Sequence, residues 1–505
     1  MIKLFGGGKP DHPMADPKEA KRILEALPAN DAARALEELE GWLDSVAEAE
    51  GFKLEQRVAL LFRVDEAGQL RVRKLVREYL AAVRPSRFQE NRLWHRIHEY
   101  HKHAADAYAR ILASLSQDPK ATSSIKVQFP LLLARALRSA AQRLKWIQFR
   151  YGPTDMAVWG LLNLVFAQAE RGAQADSKVT VYPGDPGESS PRREFLKAEI
   201  FGASSPDGLL PVEVDFAERL IADYASGFTM ATAPAPELPY WTDLAQAMGP
   251  LRIARAPEST PGLRCFGASQ ALAHLEIQIA RIEASRQLPS EPAFSGMQSV
   301  DTALDVMRHM AMYWSSVPPE RKFQRHSVKS RLTVTYGLNG VLNALGGAPE
   351  SLDFDAAANE NWIVENVSAG GFGAVVPQLK GDWLKTGALI AMQPEGGTNW
   401  LVGAVRRISK TGNQQARVGI QTLSRTPLAC RFSVEGGASE ESGVLLRPPE
   451  PDATEARIAL RAGAFVPGQK LELDQGGRLH MFLPQGIAER GEDFEIGRFR
   501  EMIRE

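Results

Sequence analysis

Leu332-Thr333-Val334-Thr335-Tyr336-Gly337-Leu338 is where the chain changes its period. Leu332, Val334, Tyr336 and Leu338 alternate with Thr333, Thr335 and Gly337, the two-residue repeat of a strand with one buried face. Just upstream, Leu304, Met307, Ala311 and Trp314 recur at steps of three and four, which predicts a helix. That helix must stop at Pro318-Pro319, since proline lacks the amide proton and restricts the residue before it. Downstream, Trp362–Val367, Phe372–Val376, Ala388–Met392, Trp400–Ile408 and Arg417–Leu423 read as strands, separated by turns such as Pro394-Glu395-Gly396-Gly397. Many short strands with turn signals predict a small antiparallel barrel. Asn339–Asn361, rich in Gly, Ala and Asp, reads as an inserted loop. Lys470–Asp474 and Arg478–Leu483 flank Gln475-Gly476-Gly477 as a hairpin. The sequence leaves open whether residues 431–505 extend the barrel or form a module of their own.

Working back toward the N-terminus, residues 17–172 read as successive amphipathic helices. The clearest carries Leu93, Ile97, Tyr100, Ala104, Tyr108, Ile111 and Leu115 on one face and is closed by Asp118-Pro119. A second runs from Leu131 to Arg150, and a third passes through Trp159 and Phe166 with Thr154 or Asp155 as its N-cap. Trp42, Trp94, Trp146, Trp159 and Trp314 fall on apolar faces, where their default role is packing. Leu251–Ile253 and Leu263–Phe266 read as a short hairpin after the Pro/Ala-rich connector Ala233–Pro239. The predicted fold class is α+β multidomain: a helical N-terminal region, an antiparallel β-barrel, and a β-rich C-terminal extension. The expected divisions are 1–16 as a flexible N-terminus and 17–290 as a mainly helical regulatory or interaction region with breaks near 173–194 and 229–240. A helix and linker at 291–317, the barrel at 318–430 and the extension at 431–505 follow.

A chain of 505 residues exceeds one core. Its 60 Lys+Arg against 61 Asp+Glu give a formal net charge of −1, so it lacks the basic field that non-specific binders of nucleic-acid polymers use. Cys265 and Cys430 have no metal-type spacing and imply a reducing compartment. The start, Met1–Gly8, leaves apolar character too early for a secretory segment, and no run approaches the ~20 apolar residues of a membrane span. The expectation is a cytoplasmic protein.

The chemistry concentrates in two elements. Arg321 and Arg325 stand four apart between Pro318-Pro319 and the first strand. Guanidinium groups grip phosphate oxygens bidentately and stack on flat bases. Asn366-Val367-Ser368-Ala369-Gly370-Gly371 supplies small polar side chains and adjacent glycines, so backbone amides can approach a ligand closely. Together they describe a pocket for a phosphorylated purine.

The pattern Arg321-Lys322-Phe323-Gln324-Arg325, followed by Asn366-Val367-Ser368-Ala369-Gly370-Gly371, resembles the PilZ family of cyclic di-GMP receptors, whose signature is R-x-x-x-R and then [D/N]-x-S-x-x-G. The resemblance covers roughly residues 318–430. It implies a β-barrel that binds cyclic di-GMP through Arg321, Arg325, Asn366, Ser368, Gly370 and Gly371. In that reading the arginines take phosphates and guanine faces, and the Asn366–Gly371 turn takes the guanine edge. The 45 positions from Arg321 to Asn366 depart from the family's usual spacing through the inserted stretch. The resemblance further implies a non-enzymatic effector that passes second-messenger level to a protein target in motility, attachment or exopolysaccharide control. A constitutive interaction scaffold with a non-binding barrel is the alternative.

His95, His98, His101 and His103 cluster on one predicted helix, but without cysteine or an H-E-x-x-H pattern they read as a polar helix face rather than a metal site. His326 either lines the ligand pocket or caps its segment. Arg406 and Arg407 lie in a predicted strand, where alternation would turn one inward toward a second ligand contact. Nucleophile, Walker and dinucleotide motifs are absent from the sequence.

Overall fold

A computed structural model describes residues 10–81, 86–117, 121–153, 155–317, 324–346, 359–411, 414–434, 439–446, 455–475 and 477–504. The chain divides into two compact units, residues 1–206 with 211–319, and residues 320–505 with 207–210.

The first unit is helical. Its helices are α1 (Pro17–Glu25), α2 (Ala32–Glu48), α3 (Leu54–Ala81), α4 (Arg87–Gln117), α5 (Ala121–Ser124), α6 (Phe129–Gln148), α7 (Met156–Arg171), α8 (Pro191–Ala203), α9 (Pro211–Asp223), α10 (Ser269–Ser285) and α11 (Val300–Trp314). Their starts follow side-chain capping: Asp16, Asp31, Asp155, Ser190 and Ser299 each accept from a first-turn amide. All seven predicted face residues of α4, from Leu93 to Leu115, are buried, and α4 packs on α2, α3 and α6. Trp146, Trp159 and Trp314 are buried as well.

At the centre of this packing sits a carboxylate. Asp65 is fully buried and accepts the hydroxyl protons of Tyr100 (2.9 Å), Tyr108 (2.6 Å) and Tyr182 (2.8 Å), with Gln69 Nε2 at 2.8 Å. Arg135 lies between the Phe62 and Tyr182 rings, its Cζ 4.6 and 4.7 Å from their centroids, and donates to Val181 O, Phe62 O and Glu66. A buried charge is tolerable only when so fully bonded. Burial, and next the neighbouring Asp65 carboxylate, push all three phenol pKa values well above the usual tyrosine range.

A four-stranded sheet completes the unit: β1 (Thr229–Ala231), β2 (Tyr240–Asp243), β3 (Leu251–Arg252) and β4 (Leu263–Gly267), in the order β1-β4-β2-β3. The expected hairpin between Leu251–Ile253 and Leu263–Phe266 therefore does not form. Tyr240-Trp241-Thr242-Asp243 inserts between them, with Tyr240 stacked on Phe266 at 6.1 Å. The sheet also grips the end of α11. Tyr240 Oη donates to Tyr313 O at 2.6 Å, and Arg252 donates to Ser315 O at 2.7 Å and Ser316 O at 3.2 Å.

The second unit contains two closed six-stranded antiparallel barrels. The first comprises β5 (His326–Tyr336), β6 (Glu360–Ser368), β7 (Gly371–Val376), β8 (Leu389–Pro394), β9 (Leu401–Lys410) and β10 (Ala416–Ser424), ordered β10-β7-β6-β5-β8-β9. Leu332, Val334, Trp362, Val364, Ala374 and Val418 are buried in it. The β-rich C-terminal stretch closes into its own barrel: β11 (Leu428–Val434), β12 (Glu440–Leu446), β13 (Glu455–Arg461), β14 (Leu471–Gln475), β15 (Arg478–Arg490) and β16 (Phe494–Arg504), ordered β11-β12-β13-β16-β15-β14. The expected hairpin at 470–483 is β14–β15.

Part of the stretch read as an inserted loop is a helix, α12 (Gly337–Ala344); residues 347–358 lie outside those described. Leu338, read as the end of a strand, opens this helix instead. Its Leu338, Val341 and Leu342 pack into one core with Leu389 and Val402 of the first barrel and Val444, Phe494 and Ile496 of the second. Gly337 makes the strand-to-helix corner at φ +75°, a conformation that suits glycine. Cys265 is buried and Cys430 half-buried, and the two are not joined in a disulfide.

Candidate functional site

The register of β5, β6 and β7 assembles most of the predicted site. His326 has Val367 as its Cα partner and Ser327 has Asn366, so β5 enters the sheet beside the end of β6 that carries the signature residues. Arg325, one residue before His326, is exposed at that entry. Arg321 lies outside the described residues. Across the hairpin, Asn366 pairs with Gly373, Val367 with Phe372 and Ser368 with Gly371, leaving Ala369-Gly370 as a two-residue turn. Register shifts fall between Ser327 and Ser330 and between Val364 and Asn366. Bulges of this kind re-aim side chains at the rims of barrels.

Glycine is required here by close backbone packing. A Cβ on Gly371 would overlap the Ile420 carbonyl oxygen and stand 3.0 Å from its carbon and 3.2 Å from Gln421 Cα, at φ +156°. A Cβ on Gly373 would meet the Asn366 amide at 2.5–2.9 Å, so that amide lies flat on the neighbouring strand. Ser368 Oγ donates to Gly371 O at 3.3 Å, and Thr422 N donates to Gly370 O at 3.0 Å. The turn is thus a stiff edge with half-buried Asn366 and Ser368 side chains.

Two residues at this edge escaped the sequence reading. Arg425 is exposed just beyond β10 and donates to Ala369 O at 2.8 Å, which puts a further guanidinium against the turn. Gln421 is the Cα partner of Gly371. Neither carries a local motif; only the β7–β10 pairing brings them here.

The expected inward arginine of the Arg406/Arg407 pair is absent. Gly419 pairs with Arg407 and Ile420 with Val405, so Arg406 is the extra residue of a bulge and the alternation breaks there. Arg406 is held by Gln421 and by Glu489, at 2.6 and 2.7 Å for the latter.

The histidine cluster is dispersed. His98 stacks on Trp94 and bonds to Glu99, His103 bonds to Asp44 at 2.7 Å, and His95 is exposed. His101, expected on a polar face, is buried, and burial pushes its pKa down to about 3. Among the described residues no group of three or more His, Cys, Asp or Glu is placed to hold a metal ion, and no helix is long and apolar enough to cross a membrane.

A closed antiparallel barrel whose second strand runs into an Asn-x-Ser-x-x-Gly turn, with Arg325 exposed at the entry to its first, has the architecture of a PilZ domain. Residues 350–427 match the middle PilZ domain of the cyclic-di-GMP receptor FimW, and residues 18–235 match its N-terminal domain. The two stretches together exceed half of the chain, and the protein belongs to the FimW family of cyclic-di-GMP receptors. The matched PilZ stretch contains Asn366, Ser368, Gly370 and Gly371; Arg321, Arg325 and strand β5 precede it. No curated protein matches the chain.

Proposed function

We propose that the first barrel binds cyclic di-GMP at its β5–β6–β7 rim and that the protein acts as a non-catalytic effector. Arg321 and Arg325 take the phosphates and guanine faces, while Asn366, Ser368, Gly370 and Gly371 take the guanine edge. Arg425 adds cationic character to the same rim. The observation that carries this reading is the β5–β6 register, which brings Arg325 to the Ser368 end of the hairpin. A doubly anionic ligand with two purine faces needs fork donors beside a rigid polar edge, and the exposed Arg325 and the Asn366–Gly371 turn support that reading. The helical region, 17–290, serves as the output element toward a protein target in the cytoplasm, in control of motility, attachment or exopolysaccharide production.

Isothermal titration of the full chain with cyclic di-GMP tests the site. Arg325→Ala and Arg321→Ala should each remove a charge-assisted interaction of roughly 1.5–3 kcal/mol, a tenfold to hundredfold loss of affinity. Arg325 is exposed, so its replacement should leave the melting temperature unchanged. Parental affinity in both variants would overturn the pocket assignment, and a parent that takes up no cyclic di-GMP would favour the scaffold alternative.

A further inference from the structure

One hairpin of the second barrel, β15–β16, holds the first barrel with three acidic side chains drawn from five consecutive residues. Glu489 receives both terminal guanidinium nitrogens of Arg406, at 2.6 and 2.7 Å. Glu492 accepts from Lys385 Nζ at 3.3 Å. Asp493 Oδ2 accepts from Leu338 N at 2.6 Å, which supplies the α12 N-terminus with the cap that Tyr336 cannot. These contacts are unequal. The Lys385–Glu492 pair is exposed and worth little. The Arg406–Glu489 fork is bidentate and partly shielded, so it fixes direction as well as charge.

That fork leads to the ligand rim. Arg406 Nε donates to Gln421 Oε1 at 2.8 Å. Gln421 is the cross-strand partner of Gly371, and the peptide joining Ile420 to Gln421 is the surface on which Gly371 lies without room for a Cβ. The next residue, Thr422, donates to Gly370 O. The bonded path therefore runs from Glu489 through Arg406 and Gln421 to the Gly370-Gly371 backbone. Each of its side-chain steps is a hydrogen bond of 2.8 Å or less.

We propose that the second barrel serves the binding site as a positioning module, with Glu489 a positioning residue that acts through Arg406 and Gln421 on the signature turn. The inference rests on the cyclic di-GMP site proposed above. By reciprocity, a ligand bound at the turn stabilises the β15–β16 hairpin by as much as the hairpin strengthens binding. The second barrel would then register occupancy without touching the ligand.

The test uses the full chain with Glu489→Gln, Gln421→Ala, their double variant, Arg406→Lys (charge kept, fork lost) and Glu492→Gln as a control. Glu489→Gln and Arg406→Lys should each weaken cyclic di-GMP binding about threefold to tenfold, the range of contact-level coupling. Because Glu489 acts through Gln421, the double variant should bind no more weakly than the poorer single variant. Glu492→Gln should match the parent. Hydrogen exchange without ligand should rise at 368–371 and 420–422 in Glu489→Gln. Additive losses, or parental affinity together with parental exchange at those segments, would overturn the inference while leaving the binding site intact. If the parent binds no cyclic di-GMP, the proposed site falls, and the exchange comparison alone decides: a rise at the turn supports the positioning role and no rise overturns it.

Discussion

Replacing Gly371 with alanine adds a single carbon at the most crowded backbone position of the proposed site. The new Cβ would overlap the Ile420 carbonyl oxygen and lie 3.0 Å from its carbon, and both atoms belong to the neighbouring strand rather than to a side chain that can swing away. A carbon and a carbonyl oxygen settle no closer than about 3.3 Å. Strand β7 must therefore move off β10 locally, which loosens the pairing of Phe372 with Ile420 and of Gly371 with Gln421. Losing one or two ladder hydrogen bonds costs about 1–3 kcal/mol, and a non-glycine residue at φ +156° adds about 1–3 kcal/mol. For a unit of this size, each kcal/mol lowers the melting temperature by about 2–4 °C, so the combined cost of about 2–6 kcal/mol gives an expected drop of about 4–24 °C. Gly396→Ala is the control, because Gly396 has φ +78° but no heavy atom within 4 Å of a built Cβ, leaving backbone strain alone. Differential scanning calorimetry of both variants separates the two effects, and titration with cyclic di-GMP should show the loss of affinity only for Gly371→Ala. Equal melting temperatures for the two variants would refute the claim that β10 backs the turn.

Asp65→Ala should destabilise the helical unit by about 3–5 kcal/mol, because it removes the carboxylate that accepts from the buried hydroxyls of Tyr108 and Tyr182 and leaves Tyr100 only the main-chain carbonyl of residue 65, at 2.9 Å. Asp65→Asn, which keeps one acceptor oxygen, should cost less; urea midpoints read both, and a parental midpoint for the alanine variant would sink the argument. Glu199 is fully buried with neither carboxyl oxygen hydrogen-bonded, and burial raises its pKa well above the usual carboxylate range. The folded state therefore holds this proton more tightly than the unfolded chain, so its contribution is intact at pH 4 and declines as pH rises toward the folded pKa. Glu199→Gln cannot ionise, so its stability relative to the parent should grow between pH 4 and pH 7. Parallel stability curves from urea titrations across that range would contradict the reading.

The elements legible in the sequence were those whose partners are local. The α4 stripe from Leu93 to Leu115 and the β6–β10 strands carry their own period, and the structure places each within a few residues of expectation. What failed depends on distant residues. Helix α12 has too few apolar positions for its period to stand out, and its cap, Asp493, lies 155 residues away. Strand β2 follows a proline-rich connector and declares itself only by pairing with β4. Arg406 looked like half of an alternating pair because a bulge leaves no mark in a single strand's sequence. For the proposed site, Asn366, Ser368, Gly370 and Gly371 fall within six consecutive positions, so the sequence alone can nominate them. Arg425 and Gln421 were not, since their relevance arises from cross-strand register.

The placement of those unread residues bears on how a glycine-rich turn can bind anything well. Gly370, Gly371 and Gly373 let a ligand and neighbouring backbone approach closely, but glycine backbones lose the most freedom on ordering. A turn left loose would be ordered at the ligand's expense, and affinity would fall by that amount. In this protein the turn is already fixed from behind. Thr422 N holds Gly370 O, the Ile420 carbonyl bears on Gly371, Arg425 holds Ala369 O, and Arg406 ties Gln421 to Glu489. All four supports come from outside the signature itself. In the proposed site, the motif specifies which groups meet the ligand, while the residues behind it set how much ordering the ligand must still induce. Two chains with identical signatures can differ in affinity for this reason alone, and by the positioning role proposed above the second barrel contributes to it in this chain.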